Sequence, residues 1–107
     1  MFIHYEMSER TLEVVFEEEI DHHSCLKFAL MIDDNVKKLM PKTVVFNFEK
    51  VTFMDSSGIG MLIGRYRKLI RHGVSAEITH LRPELRRIFE MSGIFKVMKE
   101  RCETSGE

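Results

Sequence analysis

Apolar residues along the chain switch between strand-like and helix-like spacing. Short runs rich in β-branched and aromatic residues predict strands, and apolar residues repeated every three or four positions predict helices. One helical stripe follows the middle of the chain: Ile59, Leu62, Ile63, Tyr66 and Ile70. The predicted order is strand, strand, helix, strand, helix, strand, helix, strand. This alternation is typical of an α/β domain with a mostly parallel sheet.

The predicted strands cover residues 2–6, 11–17, 43–48, 74–79 and 95–98. The predicted helices cover residues 24–39, 57 or 58 to 72, and 83–93, the last with Pro83 in its first turn. The outer face of the first helix is expected to hold the i,i+4 pairs Asp33/Lys37 and Asp34/Lys38. Its inner face is expected to consist of Cys25, Phe28, Ala29, Ile32, Val36, Leu39 and Met40.

Length and composition indicate one domain over residues 1–107, with a polar tail from about residue 100 that is expected to fray. A formal net charge of −1 gives no overall attraction to nucleic acid or membrane surfaces. No apolar run approaches the roughly 20 residues of a membrane span, and no signal peptide opens the chain. The two cysteines, Cys25 and Cys102, have no metal or redox spacing. A reduced, cytoplasmic protein is therefore expected.

The most informative segment is Phe-Met-Asp-Ser-Ser-Gly-Ile-Gly at residues 53–60, between a buried strand and a helix. An acidic residue and two serines at a helix start can cap its free N–H groups or accommodate a phosphate. The helix also contains Gly58, Gly60 and Gly64, each costing about 1 kcal/mol relative to Ala. These glycines predict that the sheet or a partner packs close to the helix start.

Functional groups collect at the carboxyl ends of parallel strands, which permits Asp21 and His22 to meet Asp55 and Ser56. A metal site there is disfavoured because the four-ligand spacing is missing, and a turn capped by Asp21 or Ser24 is favoured instead. A Ser56 nucleophile would need His22 as its base, and no third group is evident. We therefore assign no catalytic and no metal-binding residue.

Basic residues of the second and third helices are interpreted as solvated faces rather than a nucleic-acid site, because acidic residues balance them and no aromatic platform is interleaved. They are Arg65, Arg67, Lys68, Arg71, Arg82, Arg86 and Arg87.

The 53–60 segment resembles the phosphoacceptor motif of STAS-domain anti-sigma factor antagonists, especially the sporulation branch of endospore-forming bacteria. Three further stretches agree in order: residues 19–23, 64–68 and 87–96. The chain departs from the family at Glu18, where Gly is usual, at Ser24, where Thr is usual, and in lacking the family's last amphipathic helix. The resemblance implies a single STAS domain, with a mixed, mostly parallel sheet of four to five strands packed with three helices.

The resemblance further implies a regulatory binding module that is not an enzyme and needs no cofactor. The unphosphorylated form binds an anti-sigma factor that is also a serine kinase, and this releases the sigma factor. The kinase supplies ATP and Mg²⁺ and inactivates the module by phosphorylating Ser56, and a phosphatase reverses the modification. Partner contacts are assigned to Asp21, Met54, Asp55, Ser57, Gly58, Ile59 and Met61.

A second hypothesis is a small-ligand or nucleotide-binding sensor, because STAS domains also occur in sensors and transporter tails. An apolar pocket and the N–H groups of the second helix would hold the nucleotide. The absent last helix has a separate implication. It is expected to leave Val97, Met98 and apolar positions of the first and third helices uncovered, which favours a weak homodimer through this region.

Overall fold

Five strands pair in the order in which they follow one another along the chain. In the computed structural model, which describes residues 1–101, β1 and β2 are antiparallel and every later pairing is parallel. This mixed, mostly parallel sheet confirms the predicted α/β fold. The strands are β1 (Phe2–Glu6), β2 (Thr11–Val15), β3 (Thr43–Asn47), β4 (Ser75–Thr79) and β5 (Lys99–Glu100).

Three helices connect the parallel strands: α1 (His22–Leu39), α2 (Ser56–Arg71) and α3 (Pro83–Ser92). Both α1 and α2 begin slightly earlier than predicted, because an aspartate rather than a serine caps each of them. Helix α3 ends at Gly93, whose φ of 79° lies in the left-handed region that glycine tolerates. Among residues 1–101, no helix has the length and apolar character needed to cross a membrane.

The helices pack on one face of the sheet. The strand register aligns Leu12 with Val44 and Ala76, so their side chains share this face with the helices. Aromatic rings of the helices pack on rings that follow the strands. The ring centroid of Phe28 in α1 lies 5.5 Å from that of Phe16, which follows β2. The opposite face of the sheet carries Glu13 and Glu77 on either side of buried Val45. One apolar layer between sheet and helices therefore forms the core.

Two residues assigned to buried helix faces are exposed, and those assignments are wrong. Met40 is not in α1 but follows it with a left-handed φ of 48°, which turns its side chain away from the core. Ile70 is half-exposed, and Leu69 takes the buried position in the last turn of α2. The apolar stripe of α2 therefore ends one residue earlier than its spacing predicted.

The predicted pairing of Asp33 with Lys37 is also wrong. Asp33 of α1 instead binds two cations of α2, Arg65 Nε at 3.0 Å and Lys68 Nζ at 2.9 Å. Arg65 is consequently largely covered, so it does not belong to a solvated face. The Asp34–Lys38 pair forms as predicted, with 3.2 Å between carboxylate and ammonium. Asp33 thus links α1 to α2.

The last predicted strand, residues 95–98, is wrong. Ile94–Lys96 is a 3-10 helix, because Lys96 N–H donates to the Gly93 carbonyl at 3.0 Å and Val97 N–H donates to the Ile94 carbonyl at 3.1 Å. Both Val97 and Met98 were expected to be uncovered. Val97 is half-exposed, whereas Met98 is buried. The strand follows at Lys99–Glu100. The tail predicted to fray, with Cys102, lies outside the described residues from position 102 onward.

Candidate functional site

Two segments that lead into α1 and α2 lie side by side beyond the ends of β2 and β3. Ile20 and Met54 form an isolated parallel bridge. Ile20 N–H donates to the Phe53 carbonyl and Asp55 N–H donates to the Ile20 carbonyl, each at 3.2 Å. Asp21 and Asp55 follow directly after the bridge. The structure therefore confirms that the carboxyl ends of the second and third strands meet.

Asp55 caps α2 and also reaches α1. Its Oδ1 accepts hydrogen bonds from Ser57 N–H at 2.9 Å and Gly58 N–H at 3.3 Å, while Oδ2 accepts from His22 N–H at 3.2 Å. A serine cap on α2, one of the options read from the motif, is thus replaced by an aspartate cap. The positive ends of two helix dipoles converge on one carboxylate, which is a favourable place for a negative charge.

Asp21 caps α1 through a reciprocal arrangement with Ser24. The Asp21 carboxylate accepts from the N–H groups of His23 and Ser24, both at 3.0 Å, and Asp21 N–H donates to Ser24 Oγ at 3.1 Å. This is a capping box. The hydrogen bond from Ser24 N–H, with smaller contributions that include His23, lowers the pKa of Asp21 below its ordinary value. Within residues 1–101, no three acidic, histidine or cysteine side chains are grouped to hold a metal.

Ser56 is the first residue of α2 and is exposed, whereas Ser57 is partly buried. Ser56 stands on the wall of a groove of about 610 Å³ between the start of α2, the loop before it, and α3. The groove is mainly apolar, with buried Met54, Ile59 and Leu85 beneath it. Its remaining lining residues are Thr52, Phe53, Glu84, Arg87, Ile88, Met91 and Ser92. A hydroxyl accessible to another protein therefore adjoins an apolar depression.

The residues assigned to partner contacts all lie around Ser56, but they differ in exposure. Asp21, Asp55 and Ser57 are partly exposed, and the others are buried: Met54, Gly58, Ile59 and Met61. The exposed apolar rim comes instead from Phe53, 49% exposed, and Met91, 74% exposed. Sequence reasoning did not select Met91 as a contact. Its signal was available, since Met91 is an apolar residue out of phase with buried Leu85 and Phe89 of α3.

The prediction that other residues pack closely against the start of α2 is confirmed at Gly58. A Cβ atom there would lie 2.6 Å from Cγ of Met54 and 2.9 Å from Cγ2 of Ile20. The bridge between Ile20 and Met54 thus presses directly on the first turn of α2. Gly60 and Gly64 have open space where a Cβ would be, so the protein's own sheet does not pack against these two positions.

The electrostatic character of the site differs between its two sides. On the α1 side, burial raises the pKa of the Cys25 thiol, and the nearby carboxylates of Asp55 and Asp21 raise it further. On the α3 side, Arg87 lines the groove, and it pairs with no carboxylate in the described chain. Ser56 therefore adjoins an anionic cap region and a groove that is lined by Arg87.

Comparisons with known proteins agree with this architecture. The STAS domain model matches residues 3–107, and the chain belongs to the STAS domain family. An anti-sigma F factor antagonist of Paenibacillus polymyxa is 31% identical over 80 residues, which is 75% of this chain and 68% of that protein.

Two solved structures of SpoIIAA are also similar, each with a TM-score of 0.69. The unphosphorylated anti-sigma factor antagonist SpoIIAA is 26% identical, with 95% of this chain and 90% of that chain covered. The phosphorylated Bacillus cell fate determinant SpoIIAA is 29% identical, with 95% and 93% covered. The match confirms the predicted family and the single STAS fold.

Proposed function

We propose that this protein is an anti-sigma factor antagonist that is controlled by phosphorylation of Ser56. The observation that carries the proposal is an exposed serine at the first position of α2, directly after a capping aspartate and on the wall of an apolar groove. Relatives named anti-sigma factor antagonists support the function. A similar structure in a phosphorylated form supports the mode of control.

The cap arrangement explains why a phosphate on Ser56 acts as a switch. It adds a charge of about −1.5 to −2. Asp55 already accepts hydrogen bonds from the N–H groups of Ser57 and Gly58, so two of the donors that the start of α2 offers to an anion are occupied. The phosphate would remain at the surface beside two carboxylates. A docking partner would then have to desolvate it without compensation, which is costly.

The unphosphorylated protein accordingly binds the anti-sigma factor through what we call the docking surface: Phe53, Ser56, Ser57, Ile88 and Met91, with Asp21 at its edge. Met54, Ile59 and Met61 hold this surface in shape from beneath, since all three are buried in the core. Asp55 fixes the starts of α1 and α2 relative to each other. Binding the anti-sigma factor releases the sigma factor.

The enzymes that phosphorylate and dephosphorylate Ser56 are the partners of this protein. In this proposal the anti-sigma factor is also a serine kinase that supplies ATP and Mg²⁺, and a separate phosphatase restores the free serine. This chain contributes the acceptor hydroxyl and the surface around it, without a cofactor or catalytic residue of its own. It acts in the cytoplasm as a regulator rather than as an enzyme.

A nucleotide-binding sensor is not favoured. A nucleotide phosphate at the start of α2 would need the N–H groups that Asp55 accepts. The relatives are moreover named as antagonists of anti-sigma factors.

The test is a capture experiment from lysate of the source organism with wild-type, Ser56→Ala and Ser56→Asp proteins as baits. Wild type and Ser56→Ala should retain an anti-sigma factor of the serine-kinase type, and Ser56→Asp should not. Incubation of the purified kinase with wild type and ATP should then modify Ser56, as mapped by mass spectrometry. Equal capture by all three baits, or modification confined to Ser57, would contradict the proposal.

A further inference from the structure

The groove beside Ser56 contains a cation, Arg87, that has no ion-pair partner among residues 1–101. Two neighbouring arginines are engaged: Arg82 Nη2 lies 3.3 Å from Glu84, and Arg86 Nη2 lies 2.6 Å from Glu100. Arg87 is exposed and forms no ion pair with any carboxylate in the described part of the chain. Of these three arginines, Arg87 is the one that lines the groove, together with Ser56.

The apolar surroundings of Arg87 make its lack of an ion pair important for binding. The rim of the groove is apolar, with Phe53, Ile88 and Met91 close by. A protein segment that covers this rim excludes water, and a guanidinium that loses its hydration needs an anionic partner. Glu84 also lines the groove, but its carboxylate is bound by Arg82. Since no ion pair within residues 1–101 compensates the charge of Arg87, the occupant would supply the anion.

We propose that Arg87 is a specificity-determining residue that pairs with a carboxylate on the anti-sigma factor segment docked in the groove. This inference rests on the proposed function and adds the chemistry of the partner. The segment carries apolar side chains that cover Phe53 and Met91, and an acidic residue placed over Arg87. A phosphate on Ser56 would adjoin the same groove as that carboxylate, so like-charge repulsion adds to the cost of desolvation.

The experiment measures binding of the purified kinase from the capture experiment to unphosphorylated wild type and to charge-reversed variants. Arg87→Glu should weaken binding by about tenfold or more, and Arg87→Gln should weaken it less. The matched control is Arg71→Glu, at the exposed last position of α2, which should change affinity by less than about twofold. Wild-type affinity should also fall more steeply with added NaCl than that of Arg87→Gln.

A charge swap identifies the partner group. Changing the acidic residue of the kinase that contacts Arg87 to Lys should weaken binding to wild type and restore binding to Arg87→Glu. Circular dichroism of each variant checks that the fold is unchanged.

The outcomes separate the two proposals. If wild type binds and Ser56→Asp does not, but Arg87→Glu binds as wild type does, the role of Arg87 is overturned and the proposed function stands. Equal weakening by Arg87→Glu and Arg71→Glu would also overturn it, since the attraction would then depend on overall charge. If wild-type protein captures no anti-sigma factor, the proposed function itself fails.

Discussion

The backbone N–H of His22 donates a hydrogen bond to Oδ2 of Asp55, 3.2 Å away, although the two residues are 33 positions apart. The other oxygen of the same carboxylate caps α2. One side chain therefore satisfies free donors at the starts of two helices, and Ser56 immediately follows it. The position of Ser56 thus depends on α1 as well as on its own helix.

Replacement of Asp55 tests this double role. Asp55→Ala should lower the free energy of unfolding by about 1–2 kcal/mol, because two helix starts lose their acceptor. The stability of Asp55→Ser should fall between that of wild type and that of Asp55→Ala, since a serine caps α2 but is too short to reach His22 as well. Urea denaturation measures both. Asp34→Ala, which removes only a surface pair, is the control and should cost under about 1 kcal/mol.

Alanine at the glycines of α2 should act in opposite directions. Gly58→Ala should destabilise the protein by about 1–3 kcal/mol, because its Cβ would overlap Met54 and Ile20. Gly60→Ala should stabilise it by up to about 1 kcal/mol, because the position is open and alanine favours the helix. Thermal unfolding of both variants decides the matter. A stabilising Gly58→Ala would show that the contact with the bridge is looser than described.

Asp21 should make stability depend on acidic pH. Its hydrogen bonds hold its pKa below the ordinary 3.8 in the folded state, so the unfolded chain binds the proton more readily. The stabilisation is present above pH 3.8 and is lost as pH falls through the lower folded value. The variant Asp21→Asn keeps a capping side chain but cannot ionise. The stability difference between wild type and Asp21→Asn should be constant at neutral pH and shrink in acid; a constant difference throughout would count against this account.

The Cys25 thiol should react slowly. Burial and the carboxylates of Asp55 and Asp21 raise its pKa above the ordinary 9.0, so little thiolate exists at neutral pH. Alkylation by iodoacetamide in a Cys102→Ser background should therefore be slower than that of free cysteine, with its pH midpoint above 9.0. Asp55→Asn should move the midpoint downward. A wild-type midpoint at or below that of free cysteine would be inconsistent with the described surroundings.

Patterns that depend on neighbours in sequence could be predicted. Strand β1 has the predicted bounds, and the helix start after Asp55 was located to within two residues. The exit of α3 at Gly93 was also predicted, because only a few residue types tolerate a left-handed backbone. In each case the structure depends on interactions between residues that are close together in sequence.

Features that depend on distant partners could not be predicted. Asp33 pairs with Arg65 and Lys68 rather than with Lys37 of its own helix, because the packing of α1 on α2 places the two cations close to it. Likewise, the curl at Ile94 and Met98 depends on burial of both side chains in a core formed by earlier elements.

The sequential order of the strands bears on how the chain assembles during synthesis. Thr11, Thr43 and Ser75 are aligned across β2, β3 and β4, at equal intervals along the chain. Each new strand therefore adds to the outer edge of those already made, and none has to insert between two that are paired. The ribosome releases the N-terminal segments first. The sheet can consequently grow in the direction of translation, with Asp55 and Ser56 emerging after the strand that will hold them in place.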